Sequence, residues 1–422
     1  MYWLVESDFQ LSWLRGSGYK EAFVEIIGID HNLHPAENKP SVIYIRPTKG
    51  EKGYMIPINH TEGFNVSKKQ VVEILQKFEV LFTSDKKSFW HYFHLDNLHD
   101  FILSAEDNSV DLTDTHKIFY KKYPNQQNVN KIVPIVKHYQ YCEAKYEQLK
   151  DKIKKHDTKY EQFYNKRVSL VYYNIERNSI GIDVDKFFKH FYNRPKPWVY
   201  TQYNLNTTTT RPSNKFGGVN YAALNKKTGE RACFVPKNDY FVEFDITAYH
   251  PMIVSHLIGY KFEIDDVHQE FANMYKTSRE KAKELTFQQF YGRIFAKYKD
   301  LRYFKLLLQK QDELKNFYEQ NGYLEEPLSG YRFYKSKLGD ISKEKLFNYF
   351  LQATESSINV QILHEIQKKL ENRLTQIVLT VYDSFLFDVK SGEENLLKEI
   401  SEIFQTKKFK TSIKSGYDYD FR

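Results

Sequence analysis

The sequence predicts a mixed α/β (α+β) protein built from more than one domain, and three observations carry this. The chain has 422 residues, beyond the size at which a single hydrophobic core usually suffices. Short β-rich runs near the start, AFVEIIGI (22–29), SVIYIR (41–46) and GYMIPI (53–58), are separated by turn residues. From DYFVEFD (239–245) onward, strand-like and helix-like stretches alternate.

Each segment follows from its pattern. KKQVVEILQKFEVLF (68–82) predicts a helix followed by a short strand. Residues 135–180 are rich in lysine and tyrosine with few breakers, and predict two or three long helices, one spanning EAKYEQLKDKIKKHDTKYEQFYNKR (143–167). These read either as a solvated face or as a connector. Residues 186–238 are loop-rich, with Pro195, Pro197, Pro212, Gly217 and Gly218. The expected organisation is a mixed domain over 1–125, a helical connector over 126–185, and a second domain over 186–422.

Composition narrows the function. Hydrophobic residues at 41% and charged residues at 27% suit a soluble globular protein. The net charge of +8 suits a polyanionic partner. Cys142 and Cys233 stand far apart, without metal-ligand spacing, so no disulfide framework is expected. No stretch reaches 18 apolar residues and the N-terminus lacks a basic, apolar leader. The expected location is therefore cytoplasmic, with no membrane association.

Two acidic positions draw attention. In YFVEFDITAYHP (240–251) an alternating strand ends in Asp245, where a carboxylate either caps the next helix or faces a cleft. In QIVLTVYDSFLFDV (376–389) two β-rich segments flank Tyr382-Asp383-Ser384, a hairpin with an acidic tip. Two carboxylates on adjacent strands can hold a pair of divalent ions, and metals about 3.5–4 Å apart stabilise both the attacking and the leaving oxygen in phosphoryl transfer. Between them, SREKAKELTFQQFYGR (278–293) repeats Arg279, Lys283, Phe287 and Tyr291 at four-residue steps, one slanted stripe on a helix. Cations at one end and rings at the other suit a nucleotide, with the triphosphate at the cations and the sugar and base at the rings. The plainer reading is an amphipathic helix with snorkelling basic residues.

These three elements, in this order, resemble the family A DNA polymerases. Asp245 and Asp383 match that family's two palm aspartates, and Arg279, Lys283, Phe287, Tyr291 and Gly292 match its fingers helix. DDVH (265–268) resembles the Asp-x-His before that helix and puts His268 near the triphosphate. TTTTRPSN (207–214) resembles the family's TGR-S segment, with Arg211 as its arginine, and NYAALN (220–225) and RACF (231–234) resemble its Asn-rich and Arg-x-x-Phe segments, which implies DNA contacts for Arg211 and Asn220. NGYLEEPLSGYR (321–332) resembles a palm stretch. FNYFLQATESS (347–357) resembles the helix that touches template and primer, through Asn348 and Gln352, and IERNSIGIDVD (175–185) resembles the approach to the thumb.

The resemblance implies a right-hand polymerase domain with palm, reduced thumb and fingers (about 260–320), preceded by an RNase H-like, exonuclease-type domain. It implies primer-template DNA and dNTPs as partners and two Mg²⁺ ions on Asp245 and Asp383. Lys283, with Arg279 and His268, would neutralise pyrophosphate charge, Phe287 would pack by the sugar, and Tyr291 would guard the template-base position. In this family a phenylalanine at the position of Phe287 disfavours dideoxynucleotides.

The departures are informative. The family's sugar-gate glutamate is replaced by His250, with Tyr249 beside it, and either is bulky enough to gate. The acidic residue after the second aspartate is Ser384, and Asp388 is the alternative ligand under a shifted register. Glu176 and Arg211 are only about 35 residues apart, too few for the usual thumb helices. The helices of 135–170 or a processivity partner must then grip the duplex. The front domain shows Glu25 and Asp30 but no D-x-E motif, so no proofreading is expected; DLTDTHKIFY (111–120) adds to its likeness to the exonuclease fold. These traits suggest a phage or other viral replicase. The competing functions are a single-subunit RNA polymerase and a catalytically silent nucleic-acid-binding protein on the same scaffold.

Overall fold

The computed structural model describes residues 3–101, 121, 126–154, 157–191, 196–214 and 218–421. The stretch 111–120, used above as support for an exonuclease-like front domain, lies outside them. Two compact units emerge, Met1–Arg177 and Asn178–Arg422.

The first unit is built on a six-stranded sheet. Its order is Trp3–Leu4, Tyr54–Pro57, Pro40–Pro47, Glu21–Gly28, Val80–Thr83 and Leu98–Asp100. The pairs among 54–57, 40–47 and 21–28 are antiparallel, whereas 21–28, 80–83 and 98–100 run parallel. Strand alternation divides the side chains between two cores. Val24, Ile43 and Ile45 pack on one face with the helices Asp8–Gly16 and Lys68–Leu75. Phe23, Val42 and Tyr44 pack on the other with Ile135, Cys142, Tyr146 and Leu149.

That second layer corrects the expected connector. The helix Ile135–Leu149 is a layer of the first unit, because its apolar stripe closes a sheet face. The single helix expected over 143–167 is also broken. It stops at Leu149, and a new one starts at Lys159 behind the Thr158 cap, just after Asp157 takes a left-handed backbone, φ 55°. At the end of the unit, Glu176 on the helix Ser169–Glu176 is fully buried and takes an ion pair from Lys87 at 2.6 Å, with His91 at 3.5 Å. Burial pushes its carboxyl up, and Lys87, with His91 and His34, more than reverses this.

The second unit centres on a four-stranded antiparallel sheet in the order Gln376–Val381, Ser384–Val389, Tyr240–Ile246, Thr411–Gly416. The helix Lys343–Lys369 is long and largely buried; Tyr249–Ile258 and Arg302–Asn321 pack against it. The helices Val267–Tyr275 and Arg279–Tyr291 pack on each other.

Candidate active site

The site forms where the strand Tyr240–Ile246 meets the tip of the hairpin 376–389. Antiparallel register sets Asp245 across from Ser384, and the next amide, Ile246, donates to the Asp383 carbonyl at 2.9 Å. Asp388, the alternative ligand, sits at the far end of its strand and accepts from the amides of Lys237 and Asn238 at 2.9 and 3.0 Å. It is a backbone clasp there, which corrects that alternative.

Backbone strain gathers at the same place. Tyr382, beside Asp383, has φ 58°, and Ala248, between Asp245 and the next helix, has φ 51°. A left-handed backbone costs a side-chain-bearing residue on the order of 1 kcal/mol, and such outliers concentrate at functional sites.

Both aspartates line a cavity of about 280 Å³. Burial pushes the Asp383 carboxyl up to about 6, with the charge of Asp245 adding to it. Asp245 is also raised, first by burial and then by Glu243. Glu243 lies two residues before Asp245, on the same strand face. It accepts from Ser384 Oγ at 2.8 Å and from Lys414 Nζ at 3.1 Å. Among the described residues, no lysine or arginine comes within ion-pair distance of Asp245 or Asp383.

The opposite wall is the helix Arg279–Tyr291. Ala282, Thr286, Gln289 and Phe290 are buried, anchored by the Tyr275 hydroxyl, which donates to Thr286 Oγ1 and accepts from Gln289 Nε2, each at 3.1 Å. That orients Arg279, Lys283, Phe287 and Tyr291 to the cavity as one stripe. Phe287 and Tyr291 stack in parallel, centroids 6.1 Å apart. Arg279 Nε donates to Asp266 at 2.7 Å, and Asp266 also caps the helix Val267–Tyr275. Lys283 has no ion-pair partner among the described residues, so its ammonium is the uncommitted cation of the stripe.

His268 lines the cavity too, but burial, then Lys283 and Arg279, lower its pKa. That shift favours a neutral ring, which can offer a hydrogen bond. Its Nδ1 is buried without a partner among the described residues.

Of the two gate candidates, Tyr249 points its hydroxyl to Asn359 at 2.8 Å and packs its ring on Phe409. His250 instead bridges Tyr291 and Glu355, each at 2.7 Å. Arg211 also lines the cavity, bonding Glu355 at 3.1 Å and stacking 3.7 Å over the Tyr382 ring.

Four expected residues lie off this cavity. Gln352 accepts from Thr209 at 3.1 Å, which docks the loop 207–211 on the long helix. Asn348 is one turn earlier on that helix, and Asn220 is exposed before the turn Tyr221–Ala223. Gly292 ends the 279–291 helix, where a Cβ would meet the Gln288 carbonyl at 2.7 Å, and borders a second cavity of about 350 Å³. Glu355 and Glu243 were not anticipated. Helical spacing gives a signal for the first, seven residues after Asn348 and so on its face, and strand alternation gives one for the second.

No protein-family model and no curated protein matches the chain. Among solved structures it is similar to the POL domain of Pol1 from M. smegmatis, determined in complex with DNA primer-template and dNTP. The two share 13% identity and a TM-score of 0.69, over 99% of each chain. The chain has a mixed α/β architecture with the fold of a DNA polymerase domain.

Proposed function

We propose that the protein is a template-directed DNA polymerase that adds dNTPs to a primer 3′ end by nucleotidyl transfer with two Mg²⁺ ions. The observation that carries this is one cavity with two adjacent carboxylates on one wall and the Arg279–Lys283–Phe287–Tyr291 stripe on another. The similar structure, solved with primer-template and dNTP, supports the same ligand classes here.

The donor set fits hard divalent cations, which take carboxylate and phosphate oxygens. Asp245 and Asp383 offer those oxygens, and among the described residues neither is in an ion pair. Ions held there supply charge stabilisation at the attacking and leaving oxygens of an in-line displacement. The chain's own groups do the rest. Lys283 meets the triphosphate, joined by Arg279 once it exchanges Asp266 for phosphate, and neutral His268 donates a hydrogen bond. Phe287 and Tyr291 form the platform for sugar and base. Arg211, Asn220, Asn348, Gln352 and Gly292 belong to the proposed DNA-contacting set.

The front unit is proposed to be a degenerate exonuclease-like domain without proofreading. Glu25 is paired with Lys145 at 2.7 Å, and Asp30 accepts from the amides of Asn32 and Asn128, each at 2.9 Å, so both carboxylates have structural partners. Mg²⁺-dependent DNA degradation that disappears on changing Glu25 or Asp30 would overturn this. The reading also includes low intrinsic processivity unless a partner grips the duplex. Long products from single binding events, measured with a trap, speak against it.

The deciding experiment is primer extension by the wild type and Asp245→Ala, with dNTPs and rNTPs separately. Extension with dNTPs that vanishes in the variant is expected. Extension with rNTPs alone means an RNA polymerase, and DNA binding without extension means a silent scaffold.

A further inference from the structure

Glu355 is a buried carboxylate in the cavity wall, midway along the helix Lys343–Lys369. Both its oxygens are committed: Oε2 accepts from His250 Nε2 at 2.7 Å, and Oε1 accepts from Arg211 Nη2 at 3.1 Å. Burial pushes its carboxyl up, and His250 and Arg211 more than offset this, so it stays ionised. An ionised carboxylate only accepts, so Nε2 of His250 carries the proton. The other ring nitrogen, Nδ1, pairs with the Tyr291 hydroxyl at 2.7 Å. Burial pushes the Tyr291 phenol up to about 12, which keeps that hydroxyl protonated. On the other arm, Arg211 lies 3.7 Å over the ring of Tyr382, the neighbour of Asp383. One carboxylate therefore ties the ring end of the 279–291 helix to the hairpin tip that carries an aspartate.

We propose that Glu355 is a positioning residue for substrate selection: by holding His250, and Tyr291 through it, it makes the cavity wall rigid enough to exclude a ribose 2′-hydroxyl. The inference rests on the polymerase reading and deepens it. Two substrates that differ by one oxygen are told apart only by a wall that does not yield. His250 has a bond on each ring nitrogen, so its ring turns only by breaking one. With Glu355 gone, the ring is held at Tyr291 alone and yields to the larger sugar. Arg211 loses its carboxylate in the same step, leaving the hairpin tip with the stacking contact only.

The test measures kcat and KM for a dNTP and the matching rNTP on one primer-template, in the wild type, Glu355→Ala and Glu355→Gln. In the alanine variant the ratio of the two kcat/KM values is expected to fall at least tenfold, chiefly through a lower KM for the rNTP. The glutamine variant can still accept from His250 and is expected to recover most of that ratio. If Glu355→Ala lowers both kcat/KM values in parallel and leaves the ratio unmoved, Glu355 is merely structural and the inference is overturned. Tyr291→Phe removes the other end of the relay while keeping the buried carboxylate, and serves where the alanine variant does not fold. It too is expected to lower the ratio at least threefold, and an unchanged ratio there overturns the inference. A wild type that extends primers with neither nucleotide defeats the polymerase reading, and this inference with it. An active wild type with unmoved ratios defeats the inference alone.

Discussion

Ile246 donates its amide to the carbonyl of Asp383 at 2.9 Å. This bond carries the antiparallel ladder one step past Asp245 and fixes the ends of two strands side by side. The two carboxylates are thereby held next to each other by backbone, before any ion binds. Like charges forced together in a partly buried place raise each other's pKa.

The first prediction concerns pH. Asp383 in the metal-free fold sits at about 6, against about 3.9 for an unperturbed aspartate. A raised folded value adds stability below the unperturbed pKa, and that stability is lost as pH rises through about 6. Asp383→Asn should therefore stabilise the metal-free protein at pH 8, on the order of 1–2 kcal/mol after solvent screening, and change little at pH 4. Calorimetric scans at both values check this; an equal shift at the two counts against it. Mg²⁺ affinity should likewise fall as pH drops through about 6, with proton release on binding in that range.

Lys283→Ala should reduce kcat/KM for dNTP by roughly 10²–10³, the scale of losing one preorganised charge-stabilising donor. Arg279→Ala should lose less, because Arg279 is already engaged by Asp266. Single-turnover extension with saturating primer-template separates this loss from weaker DNA binding.

Phe287 lies in the cavity wall, stacked in parallel on Tyr291. Phe287→Tyr should raise dideoxynucleotide incorporation relative to deoxynucleotide. An unchanged ratio in a competition assay would place Phe287 away from the sugar.

The front unit offers a stability test. Lys87 and Glu176 form an ion pair with side-chain exposures of 3% and 0%. Removing one partner strands the other charge, so Glu176→Gln should destabilise by about 3–5 kcal/mol. Lys87→Met combined with Glu176→Leu should recover most of that loss. Urea denaturation of the single and double variants gives both numbers, and additive losses would contradict the argument.

Local pattern made much of this legible. Alternation in 240–246 and β-rich composition in 376–389 gave the strands, and the Tyr-Asp-Ser break between two β-rich runs gave the hairpin tip. The four-residue repeat of Arg279 to Tyr291 gave the stripe, because helical geometry alone makes those positions neighbours. Contacts between distant segments were not legible. Glu355 reads as one more acid on a helix until Arg211, 144 positions away, and His250, 105 away, close on it. The helix Ile135–Leu149 read as a connector because its lysines and tyrosines hid a narrow apolar stripe, and Lys145 meets its partner Glu25 only once the sheet exists. The lowering of the His268 pKa was not legible either, because it comes first from burial and then from Lys283 and Arg279 on another helix.

The strand Thr411–Gly416 flanks the one that carries Asp245, with Ser412 opposite Asp245 itself. A chain emerging from the ribosome therefore makes Asp245 long before the neighbour that seals its strand. Until residues 411–416 are made, the edge of 240–246 offers unpaired amides and carbonyls to any strand that passes. Its other neighbour, 384–389, also comes late. Assembly of the site thus waits on the most distant pairings of the sheet, the class of contact that forms slowly in folding.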